Sequence, residues 1–131
     1  MDPLTITGVD AQHIGNPRSD GTAGSRLYSV PIKLNRSATT IEAQLLLEHW
    51  DRPSVVPTRH RPGILRVTGP TVVLDGTTIE EIRGFHAQTL KRVIGLVNLE
   101  IAEYAAADAA LAQAETDARE RRLSAEPEPV A

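Results

Sequence analysis

The chain has 131 residues and a net charge of −3, with 40% hydrophobic and 24% charged residues, enough for one domain with a modest core and too few for two ordinary ones. It has no cysteine, which excludes disulfides, zinc–thiolate sites and thiol nucleophiles. With one Trp, two Tyr and one Phe, the core must be aliphatic, and a surface that stacks on bases or sugars is not expected.

The charge is unevenly spread. Between Arg26 and Arg92 ten Lys or Arg stand against six Asp or Glu, while from Val93 onward three arginines face eight acids. This is not the balance of a nucleic-acid-binding chain. Met1-Asp2-Pro3-Leu4 has no basic run followed by an apolar one, so no secretory signal is expected. No stretch approaches the ~20 apolar residues of a membrane span. A cytoplasmic protein is the default, and twelve arginines against two lysines fit the codon usage of a GC-rich bacterial genome.

In chain order, Leu4 to Val9 alternates apolar and β-branched residues and reads as a short strand. Gly15 to Ser25 collects turn-formers with nothing to bury, a mobile loop. A second strand runs from Leu27 to Leu34, with Tyr28, Val30, Ile32 and Leu34 toward the core. Pro31 cannot donate to a ladder, which predicts an edge strand or a free side outward at that point. A helix follows from about Ala38, capped by Ser37 or by a Thr39–Glu42 capping box. Ile41, Leu45, Leu46 and Trp50 form its apolar face, and Pro53 ends it. A proline-rich loop over 53–63 leads to a hairpin, Ile64–Thr68 and Thr71–Leu74, around Gly69-Pro70.

Thr77 with Glu80 then reads as a capping box opening a long helix from about Thr78. Thr-Thr-Ile-Glu occurs both at 39–42 and at 77–80; a ββα duplication and the common demands of capping both account for it. On the long helix, Ile79, Ile82, His86, Leu90, Val93, Val97, Tyr104 and Leu111 fall in an arc under about 100° wide. Gly84, Gly95, Ala102, Ala106 and Ala109 lie opposite, nearly bare of side chains. Each helical glycine costs about 1 kcal/mol relative to Ala, so a close backbone approach by another element is one reading and tolerated surface positions the other. A helix from Thr78 to Arg122 would extend about 65 Å, against a radius of gyration of about 11 Å for the body before it. It must overhang, break or find a partner. The Ala-rich segment 105–122 has high helix propensity and little to bury, with Glu115–Arg119 and Asp117–Arg121 at favourable spacing. Residues 123–131, with Pro127 and Pro129, read as a disordered tail.

Arg52, Arg59, His60, Arg61 and Arg66 form the densest polar cluster, able to hold a phosphate or carboxylate; the bland reading is a solvated loop. No two of His13, His49, His60 and His86 have ligand spacing, so no metal site is expected. His86 reads as a hydrogen-bonded core histidine, and His49 as partly exposed at its helix end. No serine-nucleophile motif or phosphate-cradling glycine loop is present; an enzyme built on His60 or His86 would need a concave pocket.

The expected fold is α+β in the order ββαββα: a small antiparallel sheet of about four strands with two helices on one face, the C-terminal one long and overhanging. Residues 1–104 form its single domain. The leading functional expectation is a non-enzymatic, oligomeric accessory or assembly subunit. Its helix would contact a second copy or a larger protein through Gly84, Gly95, Ala102, Ala106 and Ala109. The alternative is a nucleic-acid-associated module using the arginine cluster. No catalytic residue, cofactor or metal is expected.

Overall fold

The computed structural model describes residues 2–17, 26–53 and 60–125. Most of the expected mobile loop (18–25), Arg59 and the end of the expected tail (126–131) lie outside the described residues. By contact the chain divides into two units, Met1–Asn98 and Leu99–Ala131.

In the first unit, strands β1 (Ile6–Val9), β2 (Tyr28–Leu34), β3 (Leu65–Thr68) and β4 (Thr71–Thr77) pair antiparallel in the order β1-β2-β4-β3. The register places Val30 and Leu65 beside Leu74, and Ile32 beside Val72, so these residues share one face and are buried there. Lys33, Arg66 and Asp75 on the other face are exposed. Gly69, at φ 57, takes the first position of the hairpin turn, a left-handed conformation that glycine adopts without strain, ahead of a proline with its φ fixed near −65°.

The position of β2 corrects one expectation. It is a central strand, not an edge, and Pro31 within it is buried. The Pro31 carbonyl accepts from Asp10 N at 2.9 Å, just past the end of β1. In an antiparallel strand a residue's nitrogen faces the same neighbour as its carbonyl. The missing donor of Pro31 therefore falls where β1 stops.

Helix α1 (Thr40–Asp51) starts at Thr39, not Ser37, with both halves of the capping box present. Its buried face also differs from the expectation. Ile41 is 54% exposed, while Glu42 is 1% exposed alongside Leu46 and Trp50. A carboxylate takes the inner position because Arg36 meets it through two hydrogen bonds of 2.7 and 2.8 Å, and Thr39 N donates a third at 2.9 Å. The pair holds the Glu42 carboxyl below the usual carboxylate range, chiefly through the Arg36 hydrogen bonds and against the effect of burial.

The C-terminal helical run begins one residue later than its expected box. Thr77 is the last residue of β4; the cap is Thr78, whose hydroxyl accepts from Glu81 N at 3.1 Å. The Tyr28 hydroxyl accepts from Ile79 N at 2.9 Å, satisfying another donor of the first turn. The run comprises α2 (Ile79–Glu81), a π turn (Ile82–His86) and α3 (Ala87–Ala125). It is therefore not one regular α-helix: Ala87 N donates to Ile82 O, a five-residue spacing. Ile82, His86, Leu90, Val93, Ile94 and Val97 are all buried and, with α1, cover the inner face of the sheet. At the end of this unit Asn98 clasps Leu4 in both directions, accepting from Leu4 N and donating to Leu4 O at 2.9 Å each.

In the second unit α3 stays helical through Ala125, so Leu123–Ala125 belong to the helix and not to a disordered tail. Of residues 102–125 all are exposed except Asp117 and Ala118, which are half-buried. The expected Glu115–Arg119 and Asp117–Arg121 pairs do not form; Gln113 Nε2 donates to Asp117 at 2.9 Å instead. Exposed pairs of that kind are worth a few tenths of a kcal/mol, too little to fix two long side chains.

Replacing Glu42 by Ala leaves Arg36 without its counter-charge and Thr39 without the second half of its capping box. We expect Glu42→Ala to cost about 3 kcal/mol, read as a lower urea midpoint at unchanged slope. An unchanged midpoint contradicts this account of the helix start.

Candidate functional site

Two features can bear function: a polar cluster where α1, the segment before β3 and the π turn meet, and the exposed helix of the second unit.

The cluster is organised around Trp50, which has no exposed surface. Its indole N–H donates to Arg61 O at 2.9 Å, and its own carbonyl lies 2.6 Å from His60 Nε2. A carbonyl only accepts, so His60 Nε2 donates to it. Arg61 reaches Glu81 through both guanidinium nitrogens at 2.5 Å and adds the Gly76 carbonyl at 3.1 Å. Glu81 is kept below the ordinary carboxylate range, first by the Arg61 hydrogen bonds, with burial opposing. Thr77 Oγ1 completes the group at 3.3 Å from Glu81.

His86 projects from the end of the π turn into this cluster and has no exposed surface. Its ring centroid lies 5.5 Å from that of Trp50 and 4.3 Å from that of Phe85. Neither ring nitrogen has a hydrogen-bond partner among the described residues, and His60 Nδ1 is likewise buried and unpartnered. The expectation of a hydrogen-bonded core histidine is therefore corrected: His86 is in the core but not hydrogen-bonded. Burial pushes it down to about 4, Glu81 opposing and Arg61 and His60 adding to the shift. His86 is neutral at pH 7 and, having no exposed surface, cannot meet a substrate from solvent in this conformation. No group of three or more His, Asp or Glu among the described residues can hold a metal ion.

This geometry also sorts the expected arginine cluster. Arg61 is committed to Glu81, and His60 to the Trp50 carbonyl. Arg66 donates to the Gly63 and Leu65 carbonyls with its side chain exposed. Arg52, the residue that ends α1, is exposed. The four described residues do not converge as free charges; Arg59 lies outside the described residues.

The expected small-residue stripe is open. Gly84, Gly95, Ala102, Ala106 and Ala109 are all exposed. A Cβ built at Gly84 or Gly95 would meet nothing within 4 Å among the described residues, so close approach by a described residue is not what these glycines serve. Gly95 does line a groove with Leu4, Ile6, Lys91 and Ile94. The bulky stripe ends its burial at Val97: Tyr104 is 53% exposed and Leu111 64%. Among the described residues, no helix is long and apolar enough to cross a membrane.

The buried imidazole makes stability depend on pH. In the unfolded chain His86 titrates near its ordinary 6.5, whereas folded it binds a proton only near 4. Between those values the unfolded state binds more protons, so stability falls as pH falls. Glu42 and Glu81, both depressed, add to the loss only below about 4.5. We expect about 2–3 kcal/mol to be lost between pH 7 and pH 4.5, and His86→Phe to flatten that window in urea titrations. An equal slope in the variant contradicts the assignment.

No protein-family model, curated protein or solved structure matches the chain, so a functional reading rests on its own residues.

Proposed function

We propose that the chain is a non-enzymatic interaction protein, an oligomeric accessory or assembly subunit that makes its contacts through the C-terminal helix. One observation carries this reading: the helix continues to Ala125 with almost every residue after Ile101 exposed, including Tyr104, Leu111 and Leu123 at 53–64%. Helices in water owe most of their stability to burying one face against something else, and no segment of the second unit provides that cover among the described residues. Ala102, Ala106 and Ala109, on the side of the helix opposite Tyr104 and Leu111, leave the backbone accessible to a further element, while Tyr104 and Leu111 supply the larger apolar surface.

The competing reading, a nucleic-acid-associated module, has the exposed Arg52 and Arg66 in its favour. It is the weaker one, since Arg61 is neutralised by Glu81. Binding of that kind weakens steeply with salt and would appear as a DNA or RNA shift at low ionic strength.

The proposal predicts a sedimentation coefficient that rises with concentration for the full chain and no longer does so once residues 105–131 are removed. A strict monomer whose behaviour is indifferent to that truncation contradicts it.

A further inference from the structure

Resting on the reading above, we infer that the occupant of the helix face is a second copy of the same segment, laid antiparallel across it near Leu111. The apolar side of the segment is set by Tyr104, Leu111 and Ala118, seven residues apart, in phase with the buried Val97. A seven-residue repeat is the seam of a two-helix coil. When two copies cross antiparallel near Leu111, the large Tyr104 of each faces the small Ala118 of the other. A parallel, in-register pair would set Tyr104 against Tyr104.

Charge chooses between the two orientations. Residues 99–110 hold Glu100, Glu103 and Asp108 and no base, whereas residues 119–122 hold Arg119, Arg121 and Arg122 with one acid, Glu120. Glu103 and Arg121 are eighteen residues apart. That is five whole turns of a straight helix, and about 50° from it at the 3.5 residues per turn of a coil, so they lie on the same flank of the seam. Their midpoint is Ala112, next to Leu111. An antiparallel crossing there brings Glu103 of each copy to Arg121 of the other, two ion pairs related by symmetry. In a parallel pair Glu103 meets Glu103 and Arg121 meets Arg121. Antiparallel packing also sets opposite ends of the two helix dipoles together.

Sedimentation equilibrium of the full chain with Arg121→Glu, Glu103→Arg and the double swap tests this. Either single reversal should weaken dimerisation roughly tenfold, as expected for two exposed ion pairs, and the double swap should restore it. Because the chain has no cysteine, single labels at Ala102→Cys and Ala112→Cys give an independent reading of orientation. The antiparallel pair brings the labels at 112 together and holds those at 102 about 30 Å apart along the axis; a parallel pair gives short distances at both. A dimer that survives the single reversals unweakened, with short distances at both positions, overturns the antiparallel arrangement while leaving self-association intact. A monomer under all conditions overturns the proposed function with it.

Discussion

An amphipathic helix needs something to lie against. Over 82–97 this chain meets that need from within: Ile82, His86, Leu90, Val93 and Val97 sit under the sheet and α1. After Ile101 almost every described residue is exposed, yet the helix goes on to Ala125. Alanine's propensity can sustain part of it, but propensity alone leaves helices marginal in water. The requirement for cover is what links the chain's architecture to its proposed role.

The same run of residues is anchored at its other end by polar contacts. Trp50 ties α1 to the segment before β3, Arg61 ties that segment to Glu81, and Tyr28 and Thr78 satisfy the first helical donors. The π turn then delivers His86 into the group with both nitrogens unpartnered. A buried donor and acceptor left unmet cost about 1–3 kcal/mol, a cost the surrounding ion pair and aromatic packing must offset. Thr89 contributes by donating its hydroxyl to the Phe85 carbonyl inside the turn.

What could be read from the sequence follows the range of the interactions. The Thr39–Glu42 box, the Gly69-Pro70 hairpin and the burial of Leu90, Val93 and Val97 depend on neighbours a few residues apart, and periodicity exposes them. The Arg36–Glu42 pair was within reach too: an acid on the apolar side of α1 with an arginine six residues earlier was the available signal. The Thr77 cap failed by one residue because β4 pairs with Tyr28 as far as Thr77, and pairing outranks a local cap preference. Arg61–Glu81, twenty residues apart, and Leu4–Asn98, ninety-four apart, are set by the folded sheet, and no spacing rule reveals them. The π turn belongs with these: no spacing in the sequence marks it, and it ends at the buried His86. Of the expected arginine cluster, the pattern showed charge but not that Arg61 was already spent on Glu81.

Whether residues 99–125 acquire a cover from outside the chain is open to direct measurement by amide hydrogen exchange at increasing protein concentration. The account predicts that protection over 99–125 rises with concentration while protection over 82–97, already buried, stays constant. Protection over 99–125 that is independent of concentration and no greater than that of an isolated alanine-rich helix would contradict it.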